Sequence, residues 1–138
     1  MMISSSLERN RAISHLCKEI ISSNDHIYFV ASINKNGKVV ESEIRNDRII
    51  TNMNKQEIEM LFMQRVLQTN LGMELNEVMG PMSSITIHRE TLIEIIVPYS
   101  YGILFVICDL EVIPRFISKK ISLMLQDFDW RSNTIICE

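Results

Sequence analysis

Apolar residues recur at steps of three and four in three parts of the chain, residues 13–21, 57–73 and 114–128. This spacing places them on one face of a helix, so the pattern predicts three helices. Ser5 stands three residues before a glutamate, which is the spacing of a capping box, and predicts that the first helix starts there. Asn54 is placed to cap the second helix, and a proline at position 114 suits the first turn of the third.

Five other segments are short and rich in β-branched and aromatic residues, which is typical of strands. An Asn36-Gly37 pair, which readily supplies the positive φ angles of a tight turn, separates the first two. Short connections separate the last three, so we expect them to be antiparallel neighbours. The last segment is apolar without alternation, as in a central strand covered on both faces. The segments are residues 27–33, 38–45, 83–88, 91–97 and 101–108.

The order of these elements predicts the fold class. It reads helix, strand, strand, helix, strand, strand, strand, helix, which is typical of a layered α+β domain. We expect a five-stranded antiparallel sheet with two helices on one face and one on the other. The domain is predicted to occupy residues 1–128, and residues 129–138 are predicted to form a C-terminal tail.

The second predicted helix carries apolar residues on two sides. At about 100° per residue from Ile58, one stripe lies between roughly 0° and 80° and contains Phe62, Val66 and Met73. A helix that packs once against a sheet needs only this one stripe. A second stripe, called the outer stripe below, lies between about 140° and 220°. It consists of Met60, Met63, Leu67 and Leu71.

The outer stripe needs a second cover, and in a chain of 138 residues the simplest cover is another chain. Each large apolar side chain withdrawn from water contributes about 1.5–3 kcal/mol. Four such side chains left exposed would forfeit much of the roughly 5–15 kcal/mol that stabilises a typical domain. We therefore expect the outer stripe to contact a dimer mate or another partner. The alternative is that the tail, or the loop of residues 46–54, folds over it within one chain.

The segment of residues 83–88 offers a second contact. If this strand lies at the edge of the sheet, its unpaired backbone groups form a template for another strand. No lysine or proline interrupts it between positions 83 and 86. Pairing across a two-fold axis would join two sheets and bring two copies of the second helix together. The residues expected to pair are Ser84, Ile85 and Thr86.

Charge and composition exclude several classes of partner. The chain has 14 basic and 17 acidic side chains and a formal net charge of −3, so it has no basic field to attract a nucleic acid. Its most apolar stretch, residues 103–108, is far shorter than the roughly 20 residues of a membrane helix, and no secretory signal is recognisable. Three widely spaced cysteines suggest neither a disulfide framework nor a thiol zinc site. We expect a cytoplasmic protein.

No motif identifies a reaction. The three histidines, at positions 15, 26 and 88, lack metal-site spacing, and four glycines are too scattered for a phosphate loop, so we expect neither metal nor cofactor. Cys108 ends the predicted buried strand beside Asp109, which leaves open a hydrolase with a thiol nucleophile. A small core residue is the alternative, because reactive thiols need an electropositive, accessible setting. We expect no enzymatic activity and no catalytic residue.

Three sequence segments resemble a known family. They are residues 28–40, YFVASINKNGKVV, residues 59–67, EMLFMQRVL, and residues 77–81, EVMGP. These segments resemble an uncharacterised family of small roadblock-like proteins from ammonia-oxidising archaea, and this narrower resemblance covers roughly residues 16–125. More broadly, the element order and the apolar second helix resemble the roadblock/dynein light chain family, which has a profilin-like fold. The broader resemblance implies a homodimer built through the second helix and third strand, whose surface binds small GTPases or scaffold proteins.

Two hypotheses about function follow from these observations. The first is a non-enzymatic homodimeric protein-interaction module, acting as a small-GTPase regulator or scaffold. The second is a small-molecule-binding sensor domain, because layered α+β folds also bind ligands between sheet and helix. A sensor needs convergent polar groups among apolar walls. The residues that suggest such a set are Tyr28, Tyr99 and Tyr101.

Overall fold

A computed structural model describes residues 2–46, 50 and 52–137, with side chains described for residues 6–46, 50 and 52–129. The helices are α1 (Met2–Ser22), α2 (Lys55–Met73), the short α3 (Asn76–Met79) and α4 (Pro114–Cys137). The strands are β1 (Ile27–Ile33), β2 (Val39–Ile44), β3 (Ile85–His88), β4 (Ile93–Tyr99) and β5 (Gly102–Cys108).

The five strands form one sheet in the order β2-β1-β5-β4-β3, and every neighbouring pair is antiparallel. This confirms the predicted α+β class and the five-stranded antiparallel sheet. The central strand is β5, the segment whose apolar residues do not alternate, and six of its seven residues are buried. β2 and β3 lie at the two edges.

Two core layers lie on opposite faces of the sheet. In the first, apolar residues of α1 and α4 pack against β-strand residues that include Val30, Ile95 and Val106. In the second, Phe62 and Val66 of α2 pack against the alternate strand residues. Those strand residues are Phe29, Ala31, Ile33, Ile96, Ile103, Phe105 and Ile107. The period-two alternation of strand side chains thus supplies both layers from the same three central strands.

The start of α2 follows the predicted cap. The Asn54 side chain accepts a hydrogen bond of 2.8 Å from the Glu57 backbone N–H, and Glu57 Oε1 accepts one of 3.0 Å from the Asn54 backbone N–H. These reciprocal bonds form a capping box and satisfy two backbone donors at the helix end. They fix where α2 begins and therefore which of its residues face the sheet.

Several element ends differ from the sequence predictions. Helix α1 begins at Met2, so the prediction that it starts at Ser5 was wrong: no glycine or proline stops the helix from extending upstream. The Ser5 side chain lies outside the described ones. Helix α4 continues to Cys137 for the same reason, since no glycine or proline follows Pro114. The division into a domain of residues 1–128 and a tail stays a prediction. β3 begins at Ile85, two residues later than predicted.

None of the helices in the described part of the chain combines the length and apolarity needed to cross a membrane.

Candidate interaction surface

The outer stripe of α2 lies on the surface of the single chain. Met60 is 54% exposed, Leu67 52% and Leu71 64%, although these are large apolar side chains on a helix that begins with a capping box. They face away from the sheet because Phe62, Val66 and Thr69 occupy the opposite, buried side of the same helix. The helical period places Leu67 and Leu71 one turn apart, and Met60 two turns before Leu67. Their role in an interface stays a prediction.

Met63 is the least exposed member of the outer stripe, at 37%. It lies against the turn between β1 and β2, where Gly37 has a φ of +77°. A Cβ atom placed on Gly37 would be 2.9 Å from the Met63 Cε atom. The predicted tight turn at Asn36-Gly37 therefore leaves room for Met63, which is half covered within its own chain.

Apolar exposure continues beyond the end of α2. Leu75, Val78 and Met79, called the terminal patch below, are all more than half exposed. The segment is held in place because Met82 packs against Gly72 and its backbone N–H donates to the Asn76 side chain. Sequence reasoning missed the terminal patch. The signal was present as a helical spacing of apolar residues at positions 75, 78 and 79, between two glycines.

β3 is an edge strand, as the edge-pairing prediction requires. Among the described residues it pairs with β4 alone, in a register that places Ile85 opposite Ile96. Ile85 and Thr86 lie in the strand, and Ser84 lies immediately before it. Its four residues include no lysine, arginine or carboxylate. β2, at the other edge, carries two glutamates that discourage pairing. Of the two edges, β3 is the better template for another strand.

The inner side of α2 is partly polar, which the sequence did not reveal. Phe62 packs between Phe29 and Phe105, with ring centroids 6.4 and 5.7 Å away. Arg65 and Thr69 are also buried on this side. Met73, predicted to belong here, is 40% exposed instead. The buried residues of α2 end at Thr69, so its last turn lies beyond the core layer.

Arg65 belongs to a buried ion cluster with Glu94 and Arg89. Its Nε atom donates to Glu94 Oε1 at 2.7 Å, and its second guanidinium nitrogen donates to Oε2 at 3.2 Å. Arg89 donates to Glu94 Oε2 at 2.6 Å from the turn between β3 and β4. Glu94 is 3% exposed, whereas Arg89 is mostly in solvent. The cluster ties α2 to β4 and to the turn that precedes it.

The electrostatics of Glu94 reflect opposing effects. Burial alone would raise its pKa, but hydrogen bonds from Arg65 and Arg89, together with their charges, lower the pKa below its ordinary value. Glu94 is therefore a carboxylate at neutral pH. Its role is structural, because both of its oxygens already accept hydrogen bonds from the arginines.

The thiol proposed as a nucleophile lies in the core. Cys108 is fully buried at the end of β5, and burial, with Asp109 nearby, raises its pKa to about 12. Burial likewise raises the pKa of Cys17 to about 12. A thiol with such a pKa is protonated at neutral pH, so neither residue has the thiolate that nucleophilic chemistry requires. The third cysteine, Cys137, has a side chain outside the described ones.

A polar cluster joins the start of β1 to the end of β5. His26 Nδ1 lies 3.2 Å from Asp109 Oδ2, which also accepts a hydrogen bond of 3.0 Å from Tyr28. His26 Nε2 lies 3.8 Å from Glu111. The backbone N–H of Glu111, and then Tyr28 and His26, lower the pKa of Asp109. Each ring nitrogen of His26 faces a carboxylate. The hydrogen bonds to Asp109 therefore join the start of β1 to the residue that follows β5.

The three tyrosines expected of a sensor do not converge on one cavity. Tyr28 lies near the start of β1 and bonds to Asp109. Tyr99 and Tyr101 flank the turn between β4 and β5, which the sheet register places beside the other end of β1. Tyr99 is hydrogen-bonded to Ser32 and its burial raises its pKa to about 12. The set therefore does not form a single ligand site.

Known structures share this fold. A Roadblock/LC7 domain from Streptomyces avermitilis matches with a TM-score of 0.63 and 9% identity, over 83% of this chain and 92% of that one. Myxococcus xanthus MglB matches with a TM-score of 0.66 and 16% identity, over 89% and 91%. A structure described as MglB with tetrameric arrangement matches with a TM-score of 0.62 and 11% identity, over 88% and 90%. No protein-family model and no curated protein matches the sequence. The chain has the Roadblock/LC7 fold.

Proposed function

We propose that this chain is a non-enzymatic protein-interaction module that forms a homodimer through the outer stripe of α2 and the edge of β3. The observation that carries the proposal is the exposure of Met60, Leu67 and Leu71 on a helix whose other side is already packed against the sheet. Exposed apolar surface of this extent is typical of a protein–protein contact.

The positions of α2 and β3 allow one interface to use both. Helix α2 packs over β4 and β5, and β3 lies next to β4 at the edge of the sheet. A two-fold axis beside β3 would therefore bring the two outer stripes towards each other while the two edge strands pair. The terminal patch, continuous with α2 in sequence, would enlarge the contact. Stable interfaces bury roughly 1,200–2,000 Å² in total, an area that needs about 20–30 residues from each chain.

The fold comparison supports self-association. The alternative, in which another part of the same chain covers the outer stripe, has less support. One structure of the same fold is described as a tetrameric arrangement of MglB. Within this chain, α4 packs through Phe128 on the sheet face opposite α2. Residues 47–49 and 51, part of the loop that could cover the outer stripe, lie outside the described residues. A size measurement distinguishes the two arrangements.

Sedimentation of the full chain over a wide concentration range tests the dimer. We expect a single species of twice the 16.0 kDa chain mass at high concentration, with a shift towards 16.0 kDa only on strong dilution. The reason is that dissociation would return several large apolar side chains to water, at about 1.5–3 kcal/mol for each one fully buried. A 16.0 kDa species at every concentration would contradict the homodimer.

The partner class that we propose for the dimer is a small GTPase or a scaffold protein, as the resemblance to the roadblock family implies. The narrower resemblance to proteins of ammonia-oxidising archaea stays a prediction. The test is binding of the purified chain to small GTPases from its own source, each loaded with GDP or with a non-hydrolysable GTP analogue. We expect retention by one GTPase in one nucleotide state. Equal retention in both states, or none, would contradict a GTPase partner and leave the dimer proposal standing.

A further inference from the structure

A cleft of about 320 Å³ opens on the sheet face that α1 and α4 cover. It lies between α1, the turn joining β1 to β2, and the turn joining β4 to β5. Its volume is at the lower end of the range of about 300–1,000 Å³ typical of small-molecule sites. Its lining residues are Arg9, Asn10, Ile13, Asn34, Lys35, Asn36, Val40, Ser100 and Tyr101.

The charge of the cleft is positive although the chain as a whole has a net charge of −3. Arg9 and Lys35 line it, and none of the described lining residues is a carboxylate. Within the described part of the chain, neither cation forms an ion pair. Cations without a counter-charge around a concave surface raise the local concentration of anions.

The neutral polar groups of the cleft complement these charges. Asn34 uses its side-chain oxygen to accept hydrogen bonds from the backbone N–H groups of Asn36 and Lys38, at 2.9 and 3.1 Å. Its NH₂ group remains as a donor. Ser100 donates to Asp129 at 3.3 Å, and this carboxylate does not itself line the cleft. Asn34 thus stabilises the turn between β1 and β2 and also supplies a hydrogen-bond donor to the cleft.

One wall of the cleft is apolar and held in place. Tyr101 packs edge-on against Tyr99 and Phe128, with ring centroids 5.9 and 6.0 Å away. The Arg9 guanidinium lies over the Tyr101 ring, 5.1 Å from its centroid. This cation–π contact holds the arginine near the cleft without neutralising its charge. The half-buried Val40 of β2 completes the apolar wall.

We propose that this cleft binds a small organic anion, in which a carboxylate or phosphate group is attached to a compact apolar or aromatic body. The anionic group lies between Arg9 and Lys35 and accepts hydrogen bonds from the asparagine side chains. The apolar body lies against Tyr101 and Val40. The proposal does not depend on the homodimer, because none of the described residues that line the cleft belongs to α2 or β3.

Amide chemical shifts of the ¹⁵N-labelled full chain test the proposal, with phenyl phosphate, benzoate and the neutral benzyl alcohol as probes. We expect saturable shifts confined to residues around the cleft with at least one of the two anions, and none with the alcohol. Comparing the affinities for phenyl phosphate and benzoate shows whether the cleft prefers a phosphate or a carboxylate. The absence of saturable shifts with both anions up to about 10 mM, or equal shifts with the alcohol, would overturn the proposal.

Paired variants distinguish binding at the cleft from a general effect of the protein's positive charges. Arg9→Gln combined with Lys35→Gln should weaken binding of the anion about tenfold or more, since hydrogen bonds to charged groups are among the strongest in proteins. The matched control is Arg115→Gln with Lys119→Gln, which removes the same two charges from exposed positions on α4. Unchanged binding in the cleft variant, or equal loss in the control, would overturn the proposal. Spectra of all variants without probe show whether each is folded.

Discussion

Leu67→Asp is expected to convert the proposed homodimer into a monomer at every concentration that sedimentation can reach. Leu67 lies at the middle of the outer stripe and is half exposed in the single chain, so the substitution fits the isolated subunit. In a two-fold interface it would place two carboxylates in a desolvated contact. A buried, unpaired charge costs about 3–5 kcal/mol, which weakens association more than a hundredfold.

The control for this variant is Leu123→Asp. Leu123 is 58% exposed on α4, on the face of the sheet opposite α2, and the substitution makes the same chemical change. It should sediment as the wild-type protein does. A Leu67→Asp variant that remains a dimer, with a circular dichroism spectrum like that of the wild type, would place the interface elsewhere. Loss of the dimer in both variants would mean that the effect is not specific to α2.

The features that the sequence predicted well depend on local spacing. The outer stripe follows from the positions of Met60, Leu67 and Leu71 on a helix, because an angle around the helix needs no knowledge of what packs against it. The Asn54 cap and the Gly37 turn likewise involve residues four or fewer positions apart. Such interactions form from neighbouring residues alone, so a single sequence contains them completely.

The features that the sequence analysis missed are of two kinds. Some depend on contacts between residues far apart in sequence, and others on helices that lack a residue to terminate them. Arg65 faces the sheet by its helical angle, but its partner Glu94 is 29 residues away on β4 and becomes its neighbour only once α2 is docked. The cleft beside Tyr101 is likewise formed by three segments far apart in sequence. The ends of α1 and α4 were misjudged because helices continue until a residue stops them. Ser5 has the spacing of a capping residue, but the helix begins upstream of it, at Met2.

Glu94→Gln is expected to lower the free energy of unfolding by about 3 kcal/mol, the lower end of the cost of leaving a buried ion unpaired. The amide keeps the shape of the side chain but removes the charge that balances Arg65, which is 9% exposed beneath α2. The loss of its ion pair with Glu94 should cost less at Arg89, because that side chain is mostly in solvent. Urea unfolding at one fixed protein concentration measures the change, since a dimer's stability depends on concentration.

The effect should depend on pH in a defined direction. The pKa of folded Glu94 is lowered from its ordinary value of 4.5, so its contribution to stability is complete above that value and is lost as the pH falls through the folded pKa. The difference in stability between the wild type and Glu94→Gln should therefore be largest at pH 7 and narrow below pH 4.5. A difference that stayed constant through this range would show that charge is not responsible.

A double variant, Arg65→Met with Glu94→Leu, distinguishes the cost of an unpaired charge from the loss of packing. Replacing a buried ion pair by apolar residues of similar volume is often neutral or stabilising, because both desolvation penalties are removed together. The double variant should therefore be more stable than Glu94→Gln although it alters more atoms. If it is less stable than the single variant, the ion cluster stabilises the protein through its specific hydrogen bonds between α2 and β4. In that case the outer stripe owes its position to this cluster, and Glu94→Gln should also weaken the proposed homodimer.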